Sequence, residues 1–361
     1  MEFDFAAEGP KFAMLAYGLI AFVVVVGGLL LLLDGVPTLV GKLRGRRQEV
    51  AVAGGAAPPP STGRAAKRRR VTGREGWFGI GFLFPALLLL LIGLVIPAIR
   101  TTVLSFMDRG SDNWVGLRNY EWMFQQNEIL QVLRNTAYWV VLVPLLATSI
   151  GLIYAVLVDR ARFEAVAKSL IFMPMAISFV GATIIWKFVY AYRPGDAEQI
   201  GVLNQIVVWL GGEPKNWILD PPLNTFLLIV VMVWIQAGFA MVVLSAAIKA
   251  IPADIIEAAR LDGVNAWQMF WRVTLPSIRP ALIVVLVTIM IATMKVFDIV
   301  RTMTNGNYET GVVANEMYNQ AFRYGENGQG SALAVFLFIL VIPIVIFQRY
   351  QAQETGGALR R

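Results

Sequence analysis

The chain of 361 residues contains neither cysteine nor histidine. The first absence excludes disulfides and thiolate chemistry; the second excludes imidazole metal ligands and every catalytic design built on a histidine base. Charge is scarce as well. Only 15% of residues are Asp, Glu, Lys or Arg, against roughly a quarter in an ordinary soluble domain. The acids form no cluster able to hold a metal by carboxylates alone. No catalytic residue, no metal and no directly bound cofactor is therefore expected.

What is present is apolar: 57% of the chain, in long uncharged stretches separated by short charged ones. About 20 residues of helix cross the hydrocarbon of a bilayer. Seven segments can do so: Phe12 to Leu33, Trp77 to Ile99, Asn135 to Val158, Ser169 to Tyr190, Pro221 to Ile248, Pro280 to Asp298, and Ser331 to Phe347. The fold class expected is an all-α integral membrane protein. An N-terminal anchor occupies residues 1–40, a basic linker 41–76, a six-helix core 77–350 and a tail 351–361.

The net charge of +7 is local, because ten basic residues and one acid lie between Lys42 and Arg74. A basic stretch between two spans marks a cytoplasmic loop, so no nucleic-acid partner is expected and the bilayer is the surface in contact. Alternation then places the N-terminus outside and the C-terminus inside. The loops 160–168 and 249–279 fall inside, and 100–134, 191–220 and 299–330 outside. Glu2, Asp4 and Glu8 give the leading residues the wrong sign for a cleaved signal. Pro58, Pro59 and Pro60, among Ala and Gly, mark the linker as unable to build a core.

The loop Lys249–Pro280 is too long and too patterned for a plain connection. Pro252 and Asp254 suit a helix start, and Gly263 suits its left-handed cap. Asn265 with Gln268 reads as a capping box. Trp267, Phe270, Trp271 and Thr274 then form one mostly apolar stripe, Pro276 ends that helix, and Pro280 opens the next span. Two short helices meeting at a glycine offer an amphipathic face that can lie in a groove of another protein.

Glu257-Ala258-Ala259, then Gly263, Val273 and Leu275-Pro276 at their spacings, resemble the EAA loop of binding-protein-dependent ABC transporter permeases. The family commonly has Ile in place of Val273. The resemblance implies a coupling helix docked in an ATPase, with Glu257, Ala258, Ala259, Asp262, Gly263, Leu275 and Pro276 as coupling residues. Phe82 to Ala86, Trp114 to Tyr120, Met173-Pro174, Trp186, Met303 to Gly306 and Tyr318 to Phe322 are similar to the sugar-permease branch of the maltose and glycerol-phosphate importers. Asn305-Gly306-Asn307 departs from the branch's Gly-Gly-Pro. The partners implied are a second permease, two ATPase subunits that hold ATP and Mg, and an extracytoplasmic solute-binding protein. The substrate implied is a carbohydrate such as an α-glucoside.

Gly35 to Lys42 fails as a phosphate loop, because five residues separate its glycines and Leu43 replaces the magnesium-binding hydroxyl. For the solute path the candidates are Trp234, Gln236 and Gly238 in one span, where an aromatic beside an amide suits a sugar. Lys295 and Asp298, three apart, would share one helix face. Each of these also has a purely structural reading. The alternatives are a permease for a non-sugar solute and an ion-coupled carrier, which would normally bury acids in its spans and repeat internally.

Overall fold

The computed structural model describes residues 84–159, 162–195 and 197–358, and they are all-α apart from one isolated bridge between Met107 and Trp114. The anchor expected at Phe12–Leu33 and the basic linker lie outside the described residues. The chain divides into two units, Met1–Ser105 and Phe106–Arg361. In the first, α1 runs over Phe84–Leu104. It widens into a π turn at Leu91–Val95, just before Pro97. Proline lacks an N–H and crowds the carbonyl four residues back, and a wider turn relieves that clash.

In the second unit, α2 (Arg118–Gln125) leads into α3 (Asn127–Val158). The latter starts eight residues earlier than the apolar pattern indicates. Glu128, Gln131 and Arg134 form two polar turns that carry the helix on beyond its apolar part.

The segment expected to span from Ser169 to Tyr190 is sharply bent. Helix α4 (Glu164–Phe172) tightens into a 3-10 turn at Met173–Ala176, and α5 (Phe179–Val189) leaves at 103°. Pro174 removes a backbone donor at the turn. Ser178, in extended backbone, starts a fresh helix by accepting from Gly181 N at 3.1 Å.

After α6 (Val202–Trp209) comes α7 (Leu223–Lys249), the most enclosed of the long helices, with 67% of its apolar window buried. It packs most extensively on α3 and also against α4. Trp139, Val143, Leu228, Met232, Met241, Leu244 and Ile289 form part of the resulting core. Helix α8 (Ala253–Leu261) precedes α9 (Ala266–Met294), which contains a π turn at Phe270–Thr274. Short helices α10 (Asp298–Met303) and α11 (Val313–Tyr318) precede α12 (Asn327–Ala358). A smaller core of Met123, Ile129, Val132, Val313, Ala332 and Leu333 joins α2, α3, α11 and α12.

Five of these helices are long and apolar enough to cross a bilayer: α1, α3, α7, α9 and α12 up to Ile346. The bent pair α4–α5 makes six if it counts as one span. The exposed apolar residues on the spans, such as Leu89, Leu145 and Val230, are what a lipid-facing surface requires, since hydrocarbon does not penalise them. The chain is therefore a multi-pass membrane protein.

Candidate functional site

The loop after α7 is the first candidate. Helix α8 ends in a Schellman motif: Gly263 N donates to Arg260 O at 3.0 Å, and Val264 N to Ala259 O at 3.2 Å. The motif needs a left-handed residue, and Gly263 supplies it at φ +77°. Asp262 is the last helical cap, its N–H bonded to Ala258 O at 3.0 Å. The capping box is present too, with Gln268 N donating to Asn265 Oδ1 at 2.8 Å and Asn265 N to Gln268 Oε1 at 3.1 Å.

Pro276 does not end the second helix. The π turn at Phe270–Thr274 lies just before Pro276, Leu275 and Pro276 begin the next α-helical stretch, which contains Pro280, and the helix runs unbroken into its span. Glu257, Ala258 and Asp262 are exposed, Ala259 is half-buried, and Leu261, Trp267 and Trp271 present bare apolar surface, Leu261 at 89% exposure. Trp271 meets Trp267 edge-on at 5.6 Å and Phe270 at 5.1 Å. Exposed apolar side chains thus stand on both helices, with the exposed carboxylates Glu257 and Asp262 on the first and at its end.

Beside this loop, Glu164 Oε1 at the start of α4 accepts from Lys168 Nζ at 2.6 Å and from Lys249 Nζ at 2.5 Å, and Lys168 also donates to Ser245 Oγ. One carboxylate thus ties the start of α4 to the last residue of α7. The sequence gives no signal for it, since 85 residues separate Glu164 from Lys249.

The five path candidates do not form one group. Trp234 meets Trp186 of α5 edge-on at 5.8 Å. Gly238, one turn on, faces α4 so closely that a Cβ would lie 2.6 Å from Ile171 O. Both belong to helix packing. Gln236 is offset from Trp234 by about 200° around α7; it is buried and makes no side-chain hydrogen bond among the described residues. It shares the face of Met232, one turn away. Met232 lines a small cavity of about 30 Å³ with Lys295 and Asp298.

Lys295 and Asp298 do not share a helix face. The Lys295 N–H closes on Ala292 O and Thr293 O at the end of α9, and Asp298 starts α10 after a break. No ion pair joins them among the described residues. Sequence periodicity could not foresee the break, because nothing between them is a helix breaker. The hydroxyls of Thr288 and Thr293 bond back to Val284 O and Ile289 O, each at 2.7 Å, as expected for residues facing their own helix.

At the opposite ends of α3 and α7 lies the loop 304–311. Asn305, Tyr308 and Glu309 all have positive φ, at 60°, 54° and 62°. Side-chain amides hold it: Asn135 Nδ2 donates to Glu309 O at 2.6 Å and Gly311 O at 3.0 Å, and Asn224 Nδ2 to Tyr308 O at 2.7 Å. Three non-glycine residues in the left-handed region persist only where the surroundings fix them.

The chain resembles known proteins throughout this region. The model of the family described as "Binding-protein-dependent transport system inner membrane component" matches residues 147–356. An osmoprotective compounds uptake permease protein, GgtC, of Synechocystis is 53% identical over 275 residues, covering 76% of this chain and 99% of that one. An alpha-glucoside transport system permease protein, AglF, of Rhizobium meliloti is 51% identical over 278 residues, covering 76% and 83%. The crystal structure of a bacterial ABC transporter that imports alginate has a chain of the same fold, with TM-score 0.67 and 23% identity over 78% of this chain and 96% of that one. A permease of this kind is a translocation subunit, with ATP hydrolysis on a separate subunit. The chain belongs to the family of inner-membrane components of binding-protein-dependent transport systems.

Proposed function

We propose that the chain carries a carbohydrate of the α-glucoside kind across the inner membrane, as one of two permeases in an ATP-driven importer fed by an extracytoplasmic binding protein. The substrate class is supported by the functions of relatives, among them the α-glucoside permease of Rhizobium meliloti. In this reading residues 1–40 add a seventh span, 41–76 form a cytoplasmic linker, 77–350 form the permease body and 351–361 a cytoplasmic tail. The N-terminus lies outside and the C-terminus inside, as the basic loop argues.

The observation that carries the mechanism is the open two-helix loop 249–280. Its Leu261, Trp267 and Trp271 are apolar and exposed, and the helix carrying the two tryptophans, α9, runs without interruption into its span. Glu257, Ala258 and Ala259 are the surface offered to an ATPase: two small residues permit close approach and the carboxylate meets a basic partner. Asp262 and Gly263 fix the angle between the helices, and Leu275 and Pro276 start the segment that carries motion into the span. Closure of the ATPase dimer on ATP would shift the equilibrium toward the outward-open state by its difference in affinity for the two states. Gln236, Lys295 and Asp298 are the path residues in this reading; Trp234 and Gly238 support them.

The test is uptake by the reconstituted importer. Glu257→Ala and Gly263→Pro should insert normally and lose ATP-linked uptake by at least about tenfold, proline being unable to take the φ of +77° at Gly263. Full transport by both variants would remove the coupling role. Uptake by this chain alone, driven by an ion gradient, would remove the importer reading.

A further inference from the structure

We infer that a second carbohydrate subsite lies at the outer mouth of the chain, between the beginnings of α3 and α7, apart from the Gln236–Asp298 region. It rests on the carbohydrate reading above and deepens it. The structure holds a cavity of about 390 Å³ there, whose walls include Gln131, Arg134, Tyr138, Pro222, Phe226 and Glu309. Phe226 is ten residues from Gln236 along one continuous helix, about 15 Å away along its axis, so the two places are distinct.

The lining is of the kind a sugar ring requires. Tyr138 and Phe226 lie with ring centroids 5.9 Å apart, and Pro222 adds apolar surface for the C–H face of a pyranose. Around them stand planar polar groups with spare capacity. Neither the Arg134 guanidinium nor the Tyr138 hydroxyl has a hydrogen-bond or ion-pair partner among the described residues. Glu309 Oε2 accepts from Gln131 Nε2 at 2.5 Å, and its other oxygen is left to accept. A vicinal diol can accept from Arg134 while donating to Glu309, which a site of one charge sign could not provide.

The wall is also preformed. Glu309 sits in the left-handed region, and Asn135 fixes its carbonyl from beneath, while Asn224 fixes that of Tyr308. Backbone held in so sparsely populated a conformation, with its carbonyls clamped by amides of two spans, points the carboxylate into the mouth before any ligand arrives. An anionic headgroup is the poorer fit, because it would meet the Glu309 carboxylate as well as Arg134.

The experiment uses the assembled importer, with its ATPases and binding protein, in vesicles of neutral phospholipid. Uptake of maltose, trehalose and sucrose is measured as KM and maximal rate. Arg134→Ala, Tyr138→Ala and Glu309→Gln should each raise KM about tenfold with the maximal rate held, as expected for one lost charge-assisted contact or ring face. Tyr138→Phe should stay within about threefold, because it keeps the ring. Arg134→Lys, which keeps the charge and loses the fork, should fall between. ATP hydrolysis stimulated by the binding protein reports assembly of each variant, and where an alanine variant fails to assemble, Glu309→Gln and Arg134→Lys still give the KM reading.

Unchanged KM in every variant, with wild-type uptake intact, would overturn the subsite and leave the carbohydrate reading standing. A KM shift seen only after anionic phospholipid is added would overturn it too, assigning Arg134 to a headgroup. Absence of wild-type uptake for all three sugars would overturn the carbohydrate reading and the subsite together.

Discussion

At Gly238 the backbones of α4 and α7 meet: a Cβ there would lie 2.6 Å from Ile171 O and 3.0 Å from Phe172 Cα. Both obstacles are main chain and cannot rotate away. Gly238→Val should therefore force the helices apart, at a cost of roughly 1–3 kcal/mol. A lower thermal midpoint of the purified chain in mild detergent reports it, and an unchanged midpoint would show that α4 slides freely on α7. The sequence shows Gly238 beside an amide and a tryptophan, which reads as a binding patch; the close approach becomes visible only when a helix 67 residues away is brought against it. Glu164 is similar. Its two lysine partners read as ordinary loop charges until the fold sets one carboxylate between them.

Among the elements, the turn 107–114 has a titratable clasp. Asp108 accepts from Asn113 Nδ2 at 2.7 Å, from Asp112 N at 2.9 Å and from Asn113 N at 3.3 Å. These bonds, the Asn113 side chain first, hold the Asp108 carboxyl below its ordinary value of 3.8. A lowered folded pKa means the clasp stabilises the turn fully above the ordinary value and is lost as pH falls through the folded one. Protection of the Asp112 and Asn113 amides, taken against their intrinsic exchange rates at each pH, should fall in that acid window, and in Asp108→Asn it should no longer change with pH. Protection that stays constant through that window in the native chain would refute the clasp.

Other elements were legible to different degrees. The spans at 223–249 and 327–346 and the helix pair around Gly263 follow from apolar runs, a left-handed cap and a capping box, all local signals. The 103° bend at Met173–Ala176 was carried by one proline inside an otherwise unbroken apolar run, and α3 and α7 also contain or follow prolines without such a bend. The break between Lys295 and Asp298 has no local cause in the sequence, so periodicity ran the helix through it.

For the whole molecule, the lack of cysteine turns topology into a clean measurement, since any thiol introduced is the only one. Leu210 and Leu261 are 82% and 89% exposed, and the reading above puts them on opposite sides of the membrane. A membrane-impermeant maleimide should label Leu210→Cys in whole spheroplasts, and Leu261→Cys only in inverted vesicles; the reverse pattern would turn the chain over. The unbroken course of α9 then sets how far a push at the ATPase reaches. From Ala266 to Met294 the helix has 29 residues, about 40 Å of stiff rod at 1.5 Å per residue, and its far end is the break that carries Lys295. On the reading proposed above such a rod would work as a crank: a small tilt at the ATPase end would swing that distant lysine by a comparable arc, with no relay of intermediate contacts needed to tell the solute pathway that ATP has bound.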